Sequence, residues 1–264
     1  MNQDSAALPK PKQGRRRKVL IWAAGIVLAL LLTLVIVYQV MVYSPSPEAK
    51  AAMKSDDQVT VGIGQAGYRF EPAAGEAAVK QPNVVFYPGG LVDPKSYTPF
   101  ARELAEAGHR VYIASMPLNL AFMGQNKADA FIAEHPNESY VLGGHSLGGV
   151  FASRYAAEHP DQIEGIFFLA AYAEKAGSLA DAKLPVLQIT ASNDGVLNWE
   201  DWGKGKAFMP SHTQYVTIEG GNHGQFGSYG VQKGDKQATI TPQEQLDQVS
   251  RELLGWMKGI HASE

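Results

Sequence analysis

The stretch YVLGGHSLGGVFASRYA, residues 140–156, constrains the fold more than any other part of the chain. Ser146 stands between the pairs Gly143-Gly144 and Gly148-Gly149, with an apolar run leading in and an alanine-rich run leading out. Glycine two residues before and two after the serine removes Cβ atoms where the backbone must pass closely on both sides. A merely flexible loop would not be followed at once by a run of helix formers. The pattern predicts a buried strand, a tight strained turn that carries Ser146, and a helix starting directly after it.

Along the rest of the chain, short apolar strands alternate with helices. QVTVGI and GYRFEP read as a β-hairpin around a glycine-rich turn. NVVFYP, RVYIASMP, SYVLGG, IEGIFFLAA, LPVLQITAS and TQYVTIEG read as buried strands. Helices are expected over PFARELAEAGH, over KADAFIAEH, from Ser146 to a stop at Pro160, and from Thr241 to Ile260 with Thr241 as N-cap and Pro242 at the first helical position. This alternation implies an α/β protein whose mostly parallel central sheet is covered by helices on both faces. Ala171 to Lys183 is short, so only a minimal lid is expected there, and neither repeats nor a second globular domain are visible.

Gly62-Ile63-Gly64-Gln65-Ala66-Gly67 matches the G-x-G-x-x-G dinucleotide fingerprint. That fingerprint needs a helix next, so that its N-terminus meets the pyrophosphate, whereas Tyr68-Arg69-Phe70-Glu71-Pro72 is strand-like and ends in proline. Nucleotide binding is therefore not expected. The chain has no cysteine, and its seven histidines form no metal-ligand pattern, so neither cofactor nor metal is expected. Residues 1–18 hold six basic side chains against one acid, which leaves 17 basic and 25 acidic residues elsewhere, a net charge of −8. Nucleic-acid binding is not expected of so acidic a body.

From Val19 to Tyr43 only Gly25, Thr33 and Gln39 interrupt an apolar run. It is longer than the roughly 7–15 residues of a cleavable signal core and long enough to span a bilayer. Tyr38 and Tyr43 suit the membrane interface. The expected order is a cytoplasmic basic segment (1–18), a transmembrane signal anchor (19–43), a polar linker (44–57) and a globular domain (58–264). The basic flank predicts a single-pass cell-membrane protein with its globular domain on the outer side, and the lipid bilayer as a partner.

A serine hydroxyl is a poor nucleophile near neutral pH and needs a base to take its proton. After a strand–serine–helix turn, an acid and then a histidine are expected, each following a later strand. Asp194, in SNDGVL after LPVLQITAS, and His223, in GGNHGQFG after TQYVTIEG, meet both requirements. His109, His135, His159 and His261 fall near expected helix ends, and His212 precedes its strand. His145 occupies the variable position of G-x-S-x-G and is expected to point away from the serine. Leu147 N–H, just after the serine, is one candidate oxyanion donor, and the N–H of Gly90 or Leu91 in the loop after NVVFYP is the other.

GGHSLGG, YPGGLV, SNDGV and GGNHGQFGSYG together resemble the α/β-hydrolase superfamily over roughly residues 59–260, and its small, nearly lidless branch around dienelactone-hydrolase-like proteins. The resemblance implies Ser146 as nucleophile, Asp194 as acid, His223 as base and an oxyanion loop at Gly89–Leu91. Dienelactone hydrolases use a cysteine nucleophile, which this chain lacks, so serine-esterase chemistry on a small or medium-sized ester is the expectation. Lipase, thioesterase or amidase activity, or a binding module that has kept the fold without the activity, stand as alternatives.

Overall fold

The computed structural model describes residues 13–75 and 79–261. Most of the expected basic segment at 1–18 therefore lies outside the described residues. The described chain forms two units, one ending at Val42 and the other beginning at Tyr43.

The first unit is a helix, α1 (Gln13–Met41). Its part Arg17–Met41, 25 residues, is long and apolar enough to cross a membrane. At about 1.5 Å per residue it measures about 37 Å, against roughly 30 Å of hydrocarbon.

The second unit is built on an eight-stranded sheet, with β1 (Val59–Ile63), β2 (Gly67–Pro72), β3 (Lys80–Tyr87), β4 (His109–Ala114), β5 (Tyr140–His145), β6 (Gly165–Leu169), β7 (Val186–Ala191) and β8 (Gln214–Ile218) in the order β1-β2-β4-β3-β5-β6-β7-β8. β1 and β2 form the expected antiparallel hairpin and β2 adds antiparallel to β4, while β3 to β8 run parallel. Strand side chains alternate between the two faces, and so do the two cores. Val84, Phe86, Val141 and Phe167 pack with Phe100 and Leu104 of α3 (Thr98–Glu106) and with Leu253 and Trp256 of α7 (Pro242–His261). Val85, Tyr87, Leu142 and Phe168 face the other way, onto Phe131 of α4 (Ala128–Ile132) and Phe151 and Tyr155 of α5 (Leu147–Glu158). Thr241 caps α7 reciprocally: Glu244 N–H donates to its hydroxyl, and its own N–H donates to Glu244 Oε2 at 2.7 Å.

Three local readings change. Residues 44–57, expected as a linker, carry a short helix, α2 (Pro47–Ala51), capped by Ser46 and folded onto the domain. Ser46 N–H donates to Ser228 O at 2.8 Å, and Tyr43, expected to close the apolar span, donates to Leu91 O at 2.8 Å. The helix expected over KADAFIAEH shortens to α4, because His135 precedes Pro136 and is pushed away from helical geometry, so the last turn tightens to i→i−3 bonds. A further helix, α6 (Trp199–Gly205), begins at Asn198, whose side chain accepts the N–H groups of Glu200 and Asp201.

Candidate active site

β5 lies between β3 and β6 near the middle of the sheet, and Ser146 follows its last residue. Ser146 adopts φ 50°, ψ −122°, a strained conformation for a residue with a Cβ, and its N–H is held by Leu169 O at 3.0 Å. The glycines explain how the turn is tolerated. A Cβ on Gly144 would lie 2.4 Å from the backbone of Gly148, and one on Gly148 would lie 2.1 Å from Tyr87 O. Crossing backbone fills both places.

The C-terminal ends of β7 and β8 supply the other two residues. Asp194 follows β7 and is fully buried; its Oδ1 accepts the N–H groups of Val196 at 2.8 Å and Leu197 at 2.7 Å. Its Oδ2 lies 2.8 Å from Nδ1 of His223, which follows β8 and is 1% exposed. A carboxylate only accepts, so Nδ1 carries a proton, and in the neutral imidazole this tautomer leaves the lone pair on Nε2. That Nε2 is buried and has no hydrogen-bond partner among the described residues. Gln245 of α7 brackets the histidine loop, accepting Asn222 N–H at 2.9 Å and donating to Asn222 O at 2.9 Å.

The two oxyanion candidates separate. Leu91, at φ 57°, donates its N–H to Asn119 O at 2.8 Å and so drops out as a donor. Gly90 N–H has no partner among the described residues. A Cβ on Gly90 would lie 3.0 Å from the Leu147 side chain, so this loop lies against the first residue of α5. The first N–H groups of a helix have no intrahelical acceptor, which leaves Leu147 N–H available. No group of three or more histidine and acidic side chains among the described residues is arranged to hold a metal ion.

The alpha/beta hydrolase family model matches residues 83–247, which takes in the Gly89–Leu91 loop, the Ser146 turn, Asp194 and His223. The chain belongs to the alpha/beta hydrolase family. Solved structures with the same fold include an esterase from Mycobacterium tuberculosis, 13% identical with a TM-score of 0.53, covering 78% of this chain and 95% of that one. Carboxyl esterase 2 from the fungus Tuber melanosporum is 14% identical with a TM-score of 0.56, covering 82% and 91%. An alpha/beta hydrolase from a lagoon-sediment metagenome is 15% identical, also with a TM-score of 0.56, covering 76% and 98%. No curated protein matches the chain.

One element of this hydrolase site escaped the sequence reading. His145, expected only to point away from Ser146, is buried. Its Nδ1 is 2.8 Å from the Tyr97 hydroxyl, and its ring centroid lies 4.5 Å from that of His223. Burial, followed by the nearby His223, holds the His145 pKa well below 6.5, and burial keeps the Tyr97 hydroxyl protonated. The Tyr97 hydroxyl thus shares one hydrogen bond with His145 Nδ1 and accepts Gly89 N–H at 3.0 Å. The Gly89–Leu91 loop is thereby tied to the residue that packs on His223. A signal was available: strand alternation puts His145 on the same face as Val141, toward the core that contains Tyr97 and Phe226.

Proposed function

We propose that this protein is a serine hydrolase that cleaves carboxylic esters of small to medium size through Ser146, His223 and Asp194. The observation that carries the reading is the buried 2.8 Å bond between His223 Nδ1 and Asp194, formed beside a strained serine turn. His223 Nε2 takes the proton of Ser146 Oγ as the oxygen attacks the ester carbonyl, and Asp194 holds the tautomer and stabilises the imidazolium. Leu147 N–H and Gly90 N–H stabilise the oxyanion. The alcohol leaves with the proton from His223, and water, deprotonated by the same nitrogen, releases the acid from the acyl-enzyme. The net change is ester plus water to acid plus alcohol.

The reading places the protein near the dienelactone-hydrolase-like branch, with α1 as an uncleaved membrane anchor and the catalytic domain outside the cell. A second reading, a lipase acting on longer acyl chains, draws on one observation. Leu118, Phe122 and Met123 are exposed together beside the oxyanion loop, where Asn119 O accepts Leu91 N–H. Clustered exposed apolar side chains mark binding surfaces, whereas single ones are ordinary.

Turnover of p-nitrophenyl esters of increasing acyl length, with labelling by a fluorophosphonate probe, tests both readings. Ser146→Ala is expected to lower turnover by roughly 10⁴-fold or more and to abolish labelling. Full activity in that variant sinks the triad. A steep preference for long chains replaces the small-ester reading with the lipase one.

A further inference from the structure

The segment after His223 contains a stretch, VQKGDKQATI, that forms neither strand nor helix and that the mechanism above does not use. Its acid, Asp235, accepts three backbone N–H groups. Oδ1 takes Gly195 N–H at 2.9 Å and Oδ2 takes Gly224 N–H at 2.8 Å; Oδ1 also takes the N–H of Lys236 at 2.9 Å. Gly195 is the residue after Asp194, and Gly224 is the residue after His223.

The residues on the other side of each group are tied to the same stretch. Asn193 Nδ2 donates to Gln237 O at 3.2 Å, and Asn222 Nδ2 donates to Lys236 O at 2.8 Å. The sequence thus carries Asn-Asp-Gly at 193–195 and Asn-His-Gly at 222–224, and in both the asparagine amide and the glycine N–H point into residues 235–237. The approach is close: a Cβ on Gly195 would lie 2.8 Å from Gly234 O and 2.8 Å from Lys236 N.

We infer that residues 235–237 form a strap that sets the spacing of Asp194 and His223, with Asp235 as its central positioning residue. The two loops also meet directly ahead of the pair, through Asn193 N–H to Gly221 O at 2.9 Å and Gly220 N–H to Ser192 Oγ at 2.8 Å, and the strap adds a second tie beyond it, at Gly195 and Gly224. A carboxylate with one oxygen on each loop fixes their separation, and bonds from N–H groups to an ionised acceptor are roughly twice as strong as neutral ones. The hydrogen bonds of Asp235 go to backbone N–H groups and not to the Ser146 hydroxyl or the His223 ring. Asp235 acts through the imidazole that it helps to hold.

The inference rests on the Ser146–His223–Asp194 reading. Its test is Asp235→Asn in the full chain, which keeps the shape but replaces one acceptor with an N–H₂ group that faces an N–H donor. The expected result is a fall in kcat of about tenfold or more with KM within about twofold, the pattern of lost transition-state stabilisation. In the same variant, the far-downfield proton resonance of His223 Nδ1–H is expected to weaken or shift. Wild-type kcat with an unchanged resonance overturns the inference, and so does a raised KM at unchanged kcat. Should the variant fail to accumulate, wild-type protein decides. Amide exchange at Gly195 and Gly224 is then expected to be slow at both sites relative to Gly90, and fast exchange at either overturns the inference. Failure of the triad itself reads differently, because Ser146→Ala then keeps its activity whatever Asp235 does.

Discussion

Two glycine-rich turns in this chain look alike on paper, GGHSLGG at 143–149 and GIGQAG at 62–67. In the first, every glycine is required by its surroundings. Added Cβ atoms would meet the Phe167 ring at 2.2 Å, Gly148 backbone at 2.4 Å, Tyr87 O at 2.1 Å and the Ala171 Cβ at 2.4 Å. In the second, a Cβ on Gly62 would meet only the Arg69 side chain, at 3.5 Å, and one on Gly64 only Gly67 O, at 3.9 Å. Gly67 alone is tight, 2.0 Å from Ile113 O where β2 joins β4. The second turn closes a hairpin at the sheet edge, through Gly64 N–H to Gly67 O at 2.9 Å. The first lies between β3 and β6, where chain crosses on both sides. Glycine count does not separate the two turns; their position in the sheet does.

The largest effect that tests this contrast is expected at Gly148. Gly148→Ala forces a methyl into the Tyr87 and Pro88 carbonyls, which are main chain and have nowhere to move. A loss of about 3 kcal/mol, or failure to fold, is expected by chemical denaturation. An unchanged midpoint would mean that the elbow is looser than its contacts imply.

Ser146→Gly is expected to have a smaller effect of opposite sign. Strain at φ 50°, ψ −122° is relieved by removing the Cβ, partly offset by the greater chain entropy of glycine in the unfolded state. A gain of about 1 kcal/mol in thermal or denaturant stability, with ester turnover lost, would place the strain at the catalytic position. A destabilised Ser146→Gly protein would show that the serine side chain holds the turn rather than being held by it.

The smallest effect is expected at Gly62. Gly62→Ala should change stability by less than about 0.5 kcal/mol and leave ester turnover alone, since the added methyl meets only a flexible arginine. A large loss there would erase the distinction between the turns.

Much of this molecule was legible from local pattern. All eight strands were visible as apolar or alternating runs, because a strand buried on one or both faces must show its burial in its residues. Asp194 and His223 were legible because chemistry demands partners after later strands, and each strand end offered one suited residue. His145 was partly legible through alternation, but its partner Tyr97 lies 48 residues away and comes from the turn before α3. The repeated Asn-Asp-Gly and Asn-His-Gly were plain to see. Their common acceptor was not, since Asp235 sits in a stretch with no periodicity.

The sequence alone determined the class of fold, the strained serine turn and the order in which Ser146, Asp194 and His223 follow their strands, all of which follow from periodicity and glycine spacing. Tertiary structure decided which N–H groups of the Gly89–Leu91 loop remain free, what His145 touches, why residues 44–51 are folded rather than loose, and what joins the loops of Asp194 and His223. Those outcomes depend on hydrogen bonds between groups distant in sequence, and a donor leaves no trace in the chain of the acceptor that the fold will bring to it.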